Sequence, residues 1–156
     1  METVGIGAYF EDLPIGRMFK TIGRTITESD LVGYINCTGL VEVLFTNAKF
    51  RQEQSDIKGR LVPAMLVHGF AEGLLVQSTM QYTGFAFLGM ELNVEGPTFV
   101  GDTIHVEVEV IEARLSKSRA HRGLVRTRNR VINQDGKIVI TYTPMRMIKC
   151  RSGLVE

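Results

Sequence analysis

The segment from Pro63 to Met80 limits the fold more than any other part of this chain. Met65, Leu66, Val67, Phe70, Leu74, Leu75 and Val76 set apolar side chains on nearly every face of a helix, with few polar breaks. A helix apolar all round has to be enclosed by protein, since any bare face leaves hydrocarbon in water. Pro63 suits its start, because the amide hydrogen that proline lacks would have no partner there. Gly69 and Gly73, one turn apart, permit another backbone to approach, at about 1 kcal/mol of helix propensity each relative to Ala.

The second half of the sequence supplies the enclosure. Leu88, Met90, Leu92 and Val94 alternate with Gly89, Glu91, Asn93 and Glu95, and Ile104, Val106, Val108 and Val110 alternate with His105, Glu107 and Glu109. Period-2 alternation predicts half-buried strands. Further strands over 124–133 and 138–148 flank Asn133-Gln134-Asp135-Gly136, whose Asp-Gly pair accepts the positive φ of a tight hairpin turn. Before the helix, residues 15–27 read as a first strand. Thr27, Glu28 and Asp30 then open a short helix with a capping hydroxyl and first-turn carboxylates, and Gly39 closes it. Residues 47–60 are polar and read as a loop or frayed helix. Strands that follow one another without helices between them form an antiparallel sheet with one face on the core. The expectation is an α+β fold in which a long, highly twisted antiparallel sheet wraps one central helix. Nothing resembling a repeat or linker divides residues 1–156, so one domain is expected.

Composition narrows the function classes. With 156 residues, 44% of them hydrophobic, the chain can bury a sizeable core. Its 18 Lys and Arg against 17 Asp and Glu leave a net charge of +1, so no overall field attracts nucleic acid or an anionic membrane. No apolar run approaches a membrane span, and Glu2, Glu11 and Asp12 stand where a signal peptide would be basic and then apolar, which predicts a cytoplasmic protein. Cys37 and Cys150 lie far apart, indicating neither a disulfide framework nor a thiolate metal site, and in such a compartment the Asn36-Cys37-Thr38 sequon carries no meaning. Gly5 and Gly7 lack the further glycine and strand context of a dinucleotide fingerprint. No metal or cofactor is expected.

Three stretches resemble the MaoC-like (R)-specific enoyl-CoA hydratases and dehydratases. Glu95-Gly96-Pro97-Thr98-Phe99-Val100-Gly101-Asp102-Thr103-Ile104 is similar to the family's Pro-Val-x-x-Gly-Asp-Thr-Leu strand start. Tyr9 to Gly16 resembles its opening, and Gly59 to Leu66 its central-helix start. The resemblance implies the hot-dog fold, a helix wrapped by a sheet, and acyl-CoA-type thioesters as substrates or ligands. The family's hydratase motif, Gly-Asp-x-Asn-Pro-x-His, matches Gly39 to Phe45, so Leu40 stands at the Asp position, Glu42 at Asn, Val43 at Pro and Phe45 at His. Neither Leu nor Phe exchanges a proton, and positioned acid–base groups are worth roughly 10²- to 10⁴-fold in rate. Among the three histidines, His68, His105 and His121, none precedes Val67, so no shift of register restores one.

What the resemblance leaves in place is a carbonyl site. The family's thioester oxygen meets a backbone amide at the central helix start, here Ala64 with Met65 next, where unpaired N–H groups and the helix dipole favour developing negative charge. The same amides could instead be paired by a neighbouring loop. Substitute catalytic groups are Glu42, Asn47 and His68. Glu42 or Asn47 could hold a water for hydration or thioester hydrolysis, or lie on the surface. His68 and Glu72 are one turn apart, the spacing of an imidazole–carboxylate pair, and equally of an interface contact or a satisfied core histidine. Arg114, Lys117, Arg119, Arg122, Arg126, Arg128 and Arg130 form a run without a carboxylate. Arg126, Arg128 and Arg130 share a strand face that could meet CoA phosphates or pair with cross-strand glutamates, and the absence of interleaved aromatics argues against nucleic acid. A sheet edge left open by such a fold predicts at least a homodimer. Hydration or dehydration is the first expectation; a thioesterase, or an acyl-CoA-binding subunit without catalysis, are the alternatives.

Overall fold

The computed structural model describes residues 1–152. Its strands are β1 (Met18–Lys20), β2 (Arg24–Thr25), β3 (Gly84–Gly89), β4 (Leu92–Val94), β5 (Thr103–Leu115), β6 (Arg122–Ile132), β7 (Ile138–Tyr142) and β8 (Met145–Lys149). Its helices are α1 (Glu28–Thr38), α2 (Val43–Thr46), α3 (Ala48–Glu53) and α4 (Ala64–Thr79). All pairings between these strands are antiparallel. β1 and β2 run along β5, and β5 along β6. The far side of β6 takes β8 over one half and β7 over the other, and these are extended outward by β3 and β4. Pro144, between β7 and β8, has no N–H to donate to the ladder and marks the break.

The period-2 pattern of β5 decides which face meets α4. Ile104, Val106, Val108 and Val110 are buried and alternate with half-buried His105, Glu107 and Glu109. Against this inner face pack Leu66, Val67, Ala71 and Leu75 of α4, together with Val131, Ile140 and Tyr142. Each large apolar side chain so buried contributes about 1.5–3 kcal/mol. Around Leu13 of the N-terminal arm, Val110, Val125 and Ile148 form a second cluster.

α1 follows its sequence signals. The Thr27 hydroxyl accepts from the Asp30 amide at 3.2 Å, the Asp30 carboxylate accepts from the Thr27 amide at 2.8 Å, and Gly39 takes the left-handed φ of 70°. Gly136, in the hairpin between β6 and β7, has φ 74° as an Asp-Gly turn requires.

Four expectations need correction. The strand placed over 15–27 is two short pieces, β1 and β2. The segment over 47–60 contains the regular helix α3, capped by Asn47, whose side chain accepts from the Phe50 amide at 3.0 Å. The strand alternation read over 88–95 is interrupted, since Leu88 lies near the end of β3 and Leu92–Val94 form the separate β4, each on a different neighbour, with Phe85, Phe87, Leu88 and Val94 about half exposed. Finally, α4 is enclosed on one side only: Met65 is 47% and Val76 37% exposed, and no atom lies within 4 Å of a β-carbon built on Gly69 or Gly73. A sheet of this size curls around one side of a helix and leaves the opposite stripe bare.

Candidate functional site

The start of α4 forms one wall of an apolar cavity of about 430 Å³. Phe45, Leu61, Val62, Ala64, Val94 and Ile140 are among its lining, so α2, the loop before α4, β4 and β7 all contribute. Val62 is held there by a 2.9 Å bond from its amide to the Thr98 carbonyl. The Leu66 and Val67 amides both turn back to the Pro63 carbonyl, at 3.0 and 3.3 Å. The two amides that begin the helix, Ala64 and Met65, have no hydrogen-bond acceptor among the described residues. The cavity is therefore a place for hydrocarbon, with unpaired N–H donors at one wall.

No ionisable side chain among the described residues lines it. Phe45 is buried and faces it, whereas Leu40 is 37% exposed on the loop after α1 and takes no part. Glu42 is exposed at the start of α2, its carboxylate without a hydrogen bond among the described residues, and Asn47 is occupied as the α3 cap. His68 lies a turn further along α4, its ring edge-on to Tyr142 with centroids 4.9 Å apart. Burial holds its imidazole below the ordinary value, against the opposing pull of Glu72. The structure brings Ala64 and Phe45 together at the cavity and leaves Met65, Glu42, Asn47 and His68 outside its lining.

The His68–Glu72 spacing does not make a hydrogen-bonded pair. Glu72 instead accepts from the Tyr142 hydroxyl at 2.8 Å and pairs with the Arg146 guanidinium. Burial and the adjacent carboxylate push the Tyr142 phenol far upward, so it remains a donor. This buried network ties α4 to β7 and β8. Arg146, an isolated cation between Met145, Met147 and Ile148, was its only sequence signal.

Arg126, Arg128 and Arg130 do share a face, and it is the outer one, since their neighbours Val125 and Val131 point into the core. Arg126 meets Glu112 at 3.3 Å, Arg128 meets Glu109 at 2.7 Å, and Arg130 stands opposite Glu107. Cross-strand pairing accounts for this arginine run, on the side of the sheet away from the cavity. Arg60, a residue that the sequence reading gave no role, fastens the cavity loop. It bonds the Glu28 carboxylate at 2.6 Å and the Phe45 carbonyl, and its guanidinium holds the Glu28 carboxyl below the usual range.

No family model matches the chain. A 3-hydroxyacyl-[acyl-carrier-protein] dehydratase, FERN, mitochondrial, from Solanum lycopersicum is 26% identical over 128 residues, 82% of this chain and 73% of that protein. A solved monoamine oxidase regulatory protein from Archaeoglobus superposes with a TM-score of 0.81 at 28% identity, covering 92% of this chain and 95% of the other. For a MaoC-like dehydratase from Rhodospirillum rubrum the TM-score is 0.79 at 26% identity, over 93% and 99%. A Mycobacterium tuberculosis protein with a double hotdog fold, RV0216, gives 0.83 at 24% identity, a likeness of fold alone, and this chain spans 99% of itself but 48% of that protein. The chain therefore has the hot-dog fold, and in fold and sequence it is similar to MaoC-like dehydratases.

Proposed function

We propose that the chain binds an acyl thioester of the CoA type and supplies no acid–base residue of its own to that site. The acyl group occupies the apolar cavity, and the thioester carbonyl accepts from the Ala64 and Met65 amides. The observation that carries this reading is a juxtaposition: the unpaired amide of Ala64, followed by that of Met65, at a cavity that Ala64 lines and into whose lining no ionisable side chain among the described residues enters. The relatives named as dehydratases support a thioester ligand. Phe45 at the histidine position supports binding over hydration, and Glu42, Asn47 and His68 remain outside the lining. Hydration or dehydration there would draw its acid and base from a second chain.

The unit that binds is a homodimer of single-domain chains working in the cytoplasm. Support comes from the open edge of β3 and the bare stripe of α4, apolar surfaces that a second copy would cover. No helix among the described residues is long and apolar enough to cross a membrane.

Titration with saturated and enoyl thioesters of CoA, following heat of binding, enoyl absorbance and free thiol together, tests the reading. Binding without turnover in either channel is expected. Absence of binding refutes the thioester reading, and turnover abolished by Glu42→Gln shifts it to hydration or hydrolysis by that carboxylate.

A further inference from the structure

On its Phe45 side the cavity at Ala64 leads through two successive depressions that change character in order, while on its Pro97 side it shares Gly96 and Pro97 with a separate hollow lined in part by Asp102, Asp135 and Lys137. Phe45 is shared with a mixed groove of about 300 Å³ that Asn36, Thr46, Arg51 and Arg60 help to line. That groove in turn shares Ala48, Arg51 and Arg60 with a third, of about 360 Å³, whose lining includes Arg51, Lys58 and Arg60 and no carboxylate. Glu53 and Asp56, on the same stretch of chain, lie outside this lining. Of the three cations, Arg60 is neutralised by Glu28. Arg51 and Lys58 make no ion pair among the described residues. Their side-chain hydrogen bonds go to backbone carbonyls, Phe45 at 3.3 Å and Gln52 at 3.2 Å. Glu28, which lines the mixed groove with Arg51, offsets part of that charge. Arg51 and Lys58 still favour a compact anion, since a guanidinium fork matches phosphate oxygens in particular.

We propose that this basic groove is the phosphate seat of a CoA-borne ligand, with Arg51 and Lys58 as its anion-binding residues and Arg60 as the fixed wall between it and the cavity loop. The proposal rests on the acyl-thioester reading and replaces the outer-face arginines as the phosphate contact. Apolar cavity, mixed groove and basic groove follow the order of acyl chain, pantetheine arm and phosphates along such a ligand. The groove's concave form suits a small diphosphate better than the flat face that a folded acidic carrier domain would require.

The test titrates the full chain with an acyl-CoA and with the matching acyl-pantetheine, which lacks the phosphates. The wild-type chain is expected to bind the CoA form on the order of tenfold tighter or more, a difference that shrinks as salt rises. Arg51→Ala with Lys58→Ala is expected to erase the difference and leave acyl-pantetheine affinity unchanged. Lys58→Glu, at an exposed position, serves the same purpose should the double variant fold poorly. Equal wild-type affinity for the two ligands, or a difference that survives in the variants, overturns the groove assignment while the thioester reading stands. Binding of neither ligand removes both. An acyl-carrier protein whose affinity falls in the variants while that of acyl-CoA does not would overturn the assignment in favour of a protein carrier.

Discussion

Replacing Ala64 by proline tests the carbonyl site at the level of one hydrogen atom. Ala64 is the first helical residue of α4, and its amide has no acceptor among the described residues. Proline is tolerated at this position because the lost N–H was unpaired and its fixed φ is helical. The preceding residue must be extended, and Pro63 already has φ −57° and ψ 133°. The fold therefore loses no hydrogen bond, and stability is expected to change by less than about 1 kcal/mol. A bound thioester loses one neutral hydrogen bond, about 0.5–1.5 kcal/mol. At about 1.4 kcal/mol per tenfold, Kd rises roughly 2- to 13-fold. Ala64→Gly keeps the amide and is expected to bind within about twofold of wild type. Calorimetric titration with an acyl-CoA, beside a thermal melt of each variant, reads both quantities. Unchanged affinity in a normally folded Ala64→Pro chain would refute the amide as the carbonyl partner, and equal weakening in Ala64→Gly would reassign the effect to packing of the methyl group.

Glu72→Ala leaves Arg146 buried without its carboxylate and is expected to lose about 3–5 kcal/mol in urea unfolding, whereas Glu72→Leu with Arg146→Met loses less; equal losses would show that the charge pair is not the cause. The lowered His68 pKa means that the unfolded chain binds the extra proton, so stability is full above the ordinary 6.5 and declines as pH falls through it toward the folded value. His68→Phe is expected to flatten stability between pH 7 and pH 5, and an unchanged acid limb would place the effect elsewhere. In Gly7→Ala, the new β-carbon would come within 2.4 Å of the Thr79 carbonyl oxygen, so a loss of about 1–3 kcal/mol is expected, and an unaltered melt would contradict the close packing of the arm on α4. Gly69→Leu adds bulk where the single chain has open space, and is expected to leave the melt of the monomer intact while weakening self-association in light scattering, with undiminished dimer arguing against α4 as the interface.

Where the sequence was legible, a local interaction carried the signal. The Thr27 and Asp30 capping box, the left-handed Gly39, the Asp135-Gly136 turn and the alternation of β5 each depend on residues a few positions apart, and each appears where expected. Alternation over 88–95 hid the break between β3 and β4, because it reports side-chain type and says nothing of which neighbour a strand pairs with. Ala64 was legible as the first residue of a helix because Pro63 marks that start locally, and the structure adds that it lines a cavity with Phe45. His68 and Glu72 shared a helical face, but Glu72's partners lie on β7 and β8, more than seventy residues away.

By itself, the sequence determined that a mostly apolar helix would pack against an antiparallel sheet, a property that follows from side-chain chemistry and short-range periodicity. Tertiary structure alone decided that the three arginines of β6 face outward against glutamates, that α4 keeps one bare stripe, and that Arg51, Lys58 and Arg60 gather beside an apolar cavity. Which charges neutralise one another depends on strand register and loop closure, and no local pattern in the chain encodes either.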